Sequence, residues 1–184
     1  MWRMPAVICA KGPGSPAVTI AQVEMQRHGV STVMLLGPTE SVVIADSTAD
    51  PGRLAIRGGS SGGYAVLRAM TTSAAFAAGT SLFGIGDLMA LAAETHKFES
   101  RYTDTLLAPW PEGASVYRER SPVHHVEHLS GEVLLLQGAD DTVVPLAQAE
   151  SMARGIRAAG GRVEVVVYDG EGHGFRRADT IIDA

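Results

Sequence analysis

Cysteine is almost missing from this chain: Cys9 is the only one in 184 residues. That excludes an internal disulfide framework and a zinc site built on thiolates. Excess positive charge is missing too. Fifteen Lys and Arg stand against 20 Asp and Glu, a net charge of −5, and no basic stripe is present to follow a phosphate backbone, which argues against a nucleic-acid partner. Long apolar runs are lacking. The longest charge-free stretch, residues 69–86, is interrupted throughout by Ser, Thr and Gly, so it reads as a buried helix and strand rather than a membrane span. The opening MWRMPAVICAKG has one Arg and an apolar run of only Met4 to Ala10, too short for a secretory signal. No repeat or low-complexity tract occurs. What remains is a composition of 46% hydrophobic and 19% charged residues, that of an ordered globular chain of about one domain. A cytoplasmic protein with no membrane partner is the expectation.

The pattern along the chain changes near residues 47–53, a turn-forming Ser-Thr-Ala-Asp-Pro-Gly-Arg stretch. Before it, Thr32–Leu36 and Val42–Ala45 have the look of short strands and Val18–His28 of a helix, at irregular spacing. After it, strands and helices alternate. The strands are Arg53–Arg57, Ala78–Gly84, Glu132–Gln137 and Arg162–Tyr168. The helices are Tyr64–Thr72, Asp87–Lys97, Pro145–Ala159 (stopped by Gly160-Gly161) and one starting over Phe175–Ile182. The Val-Leu-Leu-Leu run within 132–137 is nearly continuous, as in a strand buried on both faces of a parallel sheet. Alternation of this kind implies a parallel α/β sheet, whose chemistry belongs in the loops at the carboxyl ends of its strands.

Three such loops carry reactive groups. In Arg57-Gly-Gly-Ser-Ser-Gly-Gly-Tyr64, a G-x-S-x-G pattern fits twice, around Ser60 and around Ser61. A nucleophilic serine on a sharp strand-to-helix turn needs small neighbours, and the turn aims backbone N–H groups at a developing oxyanion. A phosphate-binding loop is the competing reading, but neither a P-loop Lys nor a G-x-G-x-x-G spacing is there. The second loop, Gln137 to Pro145, holds Asp140 and Asp141; one could orient an imidazole and the other cap the following helix. The third, Asp169-Gly-Glu-Gly-His-Gly-Phe175, frames His173 with glycines. His124, His125 and His128 lie close together, but Glu127 is their only carboxylate support, and we assign no metal there. The order Ser, Asp, His is that of the α/β-hydrolases.

These three segments together resemble the prolyl oligopeptidase family of serine peptidases, in its acyl-aminoacyl and dipeptidyl peptidase-like branch. Residues 53–64 resemble its nucleophile elbow, 134–145 its acid loop and 170–175 its histidine loop. Thr95-His-Lys-Phe-Glu-Ser-Arg-Tyr102 and Arg118-Glu-Arg-Ser-Pro-Val-His-His125 are also similar to bacterial members. The resemblance runs over about residues 49–182 and implies an α/β-hydrolase fold. It also implies a triad: the family's Gly-x-Ser-x-Gly-Gly places the nucleophile at Ser60, with the Ser61 N–H in the oxyanion hole. Its Asp-x-x-Val selects Asp140, with Val143 three residues on, and His173 becomes the general base. The implied activity is hydrolysis of a peptide or acyl-amino-acid bond through an acyl-enzyme, with no metal or organic cofactor. An ordinary esterase is the alternative within the same chemistry.

Residues 1–48 match nothing in the family and are set apart from a catalytic unit over 49–184. The family would place there the first half of the sheet, a His-Gly-Gly-type loop and a tyrosine donating a second oxyanion hydrogen bond. Lys11-Gly-Pro-Gly14 and His28-Gly29 are the nearest counterparts, and all four tyrosines (Tyr64, Tyr102, Tyr117, Tyr168) lie at or beyond the elbow. The family's β-propeller has no counterpart. The expectation is a truncated chain with an incomplete sheet, prone to self-association through its open edge, and a catalytically impaired fragment is the second reading.

Overall fold

The computed structural model describes residues 32–36, 41–45, 55–94 and 102–184. The helix expected over Val18–His28, the turn over 47–53 and the Lys11 and His28 loops lie outside the described residues. The strands expected near 32–36 and 42–45 are present as β1 (Thr32–Leu36) and β2 (Ser41–Ala45), which pair antiparallel with each other.

The remaining strands form one sheet. β3 (Ala55–Gly59), β4 (Ala78–Leu82), β5 (Glu132–Gly138) and β6 (Val163–Tyr168) lie in the order β3-β4-β5-β6, and every neighbour is parallel. This is the parallel α/β sheet that the alternation predicts. Its register aligns the reactive loops: Gly59 stands beside Leu82, Leu82 beside Leu136, and Leu136 beside Val166. All four strands therefore finish at one edge of the molecule.

Helix α1 (Ser61–Thr72) follows β3, and α5 (Leu146–Ala158) follows the acid loop. Both cover the same sheet face. Val66, Leu67 and Met70 of α1 and Met152 and Ile156 of α5 are at most 1% exposed, packed with Ile56, Val133 and Leu135 from the strands. Burying a side chain of this size stabilises by about 1.5–3 kcal/mol, so this cluster anchors the elbow helix to the sheet. Alternation puts Arg57 and Tyr168 on the other face. There Arg57 Nη1 donates to Ala184 O at 2.8 Å and the Tyr168 hydroxyl to Asp183 Oδ2 at 2.9 Å, holding α6 (Ala178–Asp183) across that side.

Between β4 and β5 come α2 (Leu88–Glu94), α3 (Tyr102–Leu106), α4 (Ala114–Arg120) and a 3₁₀ segment, Pro122–His128. The last three were not foreseen from sequence. They are one or two turns long, too short to show an apolar period. Tertiary anchors hold them instead: Tyr117 is fully buried and its hydroxyl donates to Ala108 O at 2.9 Å. Among the described residues, no helix is long and apolar enough to cross a membrane.

Candidate active site

The elbow is built by steric necessity. A Cβ on Gly58 would lie 2.5 Å from the Gly62 carbonyl oxygen, and one on Gly63 would lie 2.8 Å from Gly84 Cα and Ser81 Oγ. Strand, turn and helix therefore approach more closely than side chains allow. Ser81 Oγ donates to Gly63 O at 3.1 Å and fastens the contact. Gly62, by contrast, faces open space, so the room expected of both flanking glycines is needed before the serine and at Gly63.

Ser60 sits at the apex with φ 56° and ψ −121°, a left-handed turn that side chains rarely adopt. Its N–H donates to Leu82 O at 2.9 Å. A serine in front of a helix ordinarily turns its hydroxyl to the first-turn amides, but Ser60 makes no such cap. Its Oγ is 2.8 Å from His173 Nε2. Ser61, the first residue of α1, is exposed, and an amide in that position has no acceptor within its own helix.

The other imidazole nitrogen corrects the choice of acid. His173 Nδ1 is 2.9 Å from Asp141 Oδ2, not from Asp140. Asp140 is exposed on the outside of the turn, and its N–H donates to Glu171 O at 2.9 Å. Asp141, one residue later, turns inward, with its side chain 0% exposed. Its Oδ1 accepts from the Val143 and Val144 amides at 2.9 and 2.8 Å, and its Oδ2 accepts from Gln137 Nε2 at 3.1 Å as well as from His173. One aspartate thus does both tasks that the adjacent pair allowed, turn and orienter. The Asp-x-x-Val pattern fits 140/143 and 141/144 alike. The buried valine would have chosen correctly, since Val144 is 2% exposed and Val143 49%.

Three fixed donors, the Val143 and Val144 amides and Gln137 Nε2, already converge on Asp141, so its carboxylate faces His173 as an acceptor. Nδ1 of His173 then carries the ring proton, which leaves Nε2 free to accept from the Ser60 hydroxyl. Gln137, 1% exposed, keeps its amide turned this way because Nε2 also donates to Val144 O at 2.9 Å; the flipped amide would set oxygen against two acceptors.

The histidine loop is fixed from below by Glu171, which is 1% exposed and was not singled out from sequence. Its carboxylate accepts from the Arg176 and Arg177 amides, both at 2.9 Å. Burial pushes its carboxyl up, but those two amides, a hydrogen bond from Thr180 and the nearby Arg177 charge outweigh it and hold the group below the usual glutamate range. At the end of β6, just before this loop, burial first, then the hydrogen bond and charge of Asp183, push the Tyr168 phenol up to about 12, against the pull of Arg57. Aromatic rings line the loop's inner side: Phe83 meets His173 edge-on at 5.0 Å and Phe175 at 5.2 Å.

The hydroxyls of Tyr64, Tyr117 and Tyr168 are directed elsewhere, to Arg120 O, Ala108 O and Asp183. The three clustered histidines lie on the 3₁₀ segment, and among the described residues no group of three or more His, Cys, Asp or Glu is placed to hold a metal ion.

Comparison with known proteins gives this geometry a setting. The profile of the prolyl oligopeptidase family matches residues 39–184, so residues 39–48, expected from the sequence to lie outside the family, fall within the match. A puromycin-hydrolyzing peptidase from Mycobacterium tuberculosis has a structure similar to this chain, with a TM-score of 0.71 and 40% identity, over 91% of this chain and 22% of that one. The acylaminoacyl peptidase of Pyrococcus horikoshii superposes with a TM-score of 0.66 at 26% identity, over 70% of this chain and 21% of its own. Dipeptidyl aminopeptidase BIII of Pseudoxanthomonas mexicana is 31% identical over 134 residues, 70% of this chain and 19% of that protein. The chain spans about a fifth of the length of these relatives, and its sheet is that of the α/β-hydrolase peptidases among them.

Proposed function

Because the chain belongs to the prolyl oligopeptidase family, we propose that it is a serine peptidase in which Ser60 is the nucleophile, His173 the general base and Asp141 the residue that orients the imidazole. The observation that carries this reading is the pair of hydrogen bonds meeting on one ring: Ser60 Oγ to His173 Nε2 at 2.8 Å, and His173 Nδ1 to Asp141 Oδ2 at 2.9 Å.

In this reading Ser60 Oγ attacks the carbonyl carbon of an amide while its proton passes to Nε2. The tetrahedral oxyanion forms beside the Ser61 N–H at the start of α1, where the helix dipole also favours negative charge. Collapse breaks the C–N bond, and Nε2–H protonates the departing amine. Water then enters and its oxygen attacks the acyl carbon while Nε2 takes one of its protons; collapse breaks the C–Oγ bond, Nε2–H returns that proton to Ser60 Oγ, and the acid leaves. Asp141 stays anionic throughout and stabilises the imidazolium that forms in each step. The substrate class is a peptide or an acylated amino acid, which the names of the relatives support: an acylaminoacyl peptidase and a dipeptidyl aminopeptidase. The chain's own residues supply every proton transfer in this scheme, so it invokes no cofactor.

Labelling of the 184-residue chain with a fluorophosphonate tests the assignment. The label is expected on the wild type, absent from Ser60→Ala and retained by Ser61→Ala. A folded wild type that takes no label would overturn the reading, and loss in Ser61→Ala alone would move the nucleophile to the second register.

A further inference from the structure

Each strand of the four-stranded sheet ends in a residue at the site: Ser60 after β3, Asp141 after β5 and His173 after β6. The fourth, Phe83 after β4, has no role in the scheme above. We propose that Phe83 is a positioning residue for His173, its ring holding the imidazole in the plane that faces both Ser60 and Asp141. The proposal rests on the serine-peptidase reading.

Two hydrogen bonds fix two points of the imidazole, at Nε2 and Nδ1. They leave the ring free to rock about the line joining those atoms. A third contact off that line is needed to fix the plane, and Phe83 provides it, with ring centroids 5.0 Å apart at 66°. The edge-to-face arrangement is the favoured one for aromatic pairs. Phe83 is itself wedged. Phe175 meets it at 5.2 Å and 87°, and Phe175 in turn packs on Tyr168 at 4.9 Å. The ring also abuts the elbow, so close that a Cβ on Gly59 would be 3.1 Å from its Cε2 and Cζ. One ring therefore touches both the elbow and the histidine loop.

The backbone at Phe83 has been bent to put the ring there. Its φ of 38° is positive, a conformation that a bulky aromatic residue avoids unless its surroundings impose it. Those surroundings are visible. Phe83 N–H donates to Leu136 O at 2.7 Å, just past the end of the β4 ladder. Three residues further on, Gln148 Oε1 accepts from the Gly86 and Asp87 amides at 3.1 and 2.8 Å. The sequence suggests a strand running on to Gly84; instead the chain leaves the sheet at Leu82 and turns its next side chain into the site.

The test compares Phe83→Leu, which removes the flat ring, with Phe83→Tyr, which keeps it. With a fluorophosphonate, Phe83→Leu is expected to acylate about tenfold more slowly, as for a misplaced catalytic group, and Phe83→Tyr at the wild-type rate. The low-field proton resonance of His173 Nδ1–H reads ring position without any turnover: it should be sharp in the wild type and in Phe83→Tyr, and broadened in Phe83→Leu. Wild-type labelling together with a sharp resonance in Phe83→Leu would overturn the proposal. A wild type that takes no label would instead defeat the serine-peptidase reading, and the resonance would then decide the role of Phe83 alone. Gly59→Ala gives a second route that leaves Phe83 in place should Phe83→Leu not fold. It crowds the ring and should slow labelling and broaden the same proton, and no change in either would count against the proposal.

Discussion

Among the described residues histidine occurs in two regions, which differ in what surrounds the rings. The 3₁₀ segment holds His124, His125 and His128 within five residues, whereas the loop after β6 holds His173 alone. In the first region His125 donates from Nε2 to Glu119 O at 2.6 Å, and His128 makes a 3.4 Å contact with Glu127 in which both side chains are more than half exposed. His124 Nε2 is buried with no hydrogen-bond partner. Among the described residues, each ring in the segment has at most one of its nitrogens engaged. His173 has both nitrogens engaged, one by a carboxylate with four donors around it and the other by a hydroxyl on a strained turn. What sets His173 apart is therefore not clustering with like residues but the engagement of both of its ring nitrogens.

The sharpest way to break this comparison is to remove one histidine from each region. His173→Ala is expected to reduce fluorophosphonate labelling on the order of 10⁴-fold or more, while His128→Ala leaves it unchanged; equal losses would show that the comparison has no functional content. Next in size is Gly58→Ala. Its new Cβ meets backbone that cannot step aside, so Ser60 shifts and labelling falls about 10²-fold even in protein that remains folded by circular dichroism. A variant labelling at the wild-type rate would mean the elbow is looser than described. The smallest effect concerns the support of the histidine loop. The Glu171 carboxyl titrates lower in the folded chain than its ordinary value. Its contribution to stability is therefore complete above the ordinary glutamate range and is lost as pH falls through the lower folded value. Glu171→Gln should unfold at lower temperature than the wild type at pH 7, and the gap should narrow toward pH 3. Parallel melting curves would show that the charge is not what anchors the loop.

Much of this architecture is legible in the sequence. The strands expected over 53–57, 78–84, 132–137 and 162–168 form over 55–59, 78–82, 132–138 and 163–168, the helices expected over 64–72 and 145–159 are α1 and α5, and Ser60 and His173 sit in loops whose glycines announce tight turns. The errors are instructive because each has a physical source. Asp140 and Asp141 are adjacent and chemically identical, so which one turns inward depends on the turn's handedness and on the burial of Val144, neither of which spacing encodes. Phe83 lies in a stretch that reads as strand, and only the hydrogen bond to Leu136 O and the positive φ reveal that the chain has left the sheet there. The 3₁₀ segment and its neighbouring short helices are held by contacts such as Tyr117 to Ala108 and Ser121 Oγ to Tyr117 O at 2.7 Å, which no local period reports. Glu171 looks like one more surface acid until its backbone partners are seen.

In the proposed mechanism Asp141, turned inward beside an exposed twin, fixes the tautomer and orientation of His173 for attack by Ser60. Acylation rates of Asp141→Asn and Asp140→Asn, measured side by side on folded protein, test it most directly. Asp141→Asn should lose activity on the order of 10⁴-fold, as expected when the orienting carboxylate becomes an amide that can present the wrong group to Nδ1, and Asp140→Asn should remain at the wild-type rate. The reverse pattern, with Asp140→Asn inactive and Asp141→Asn unaffected, would contradict the account.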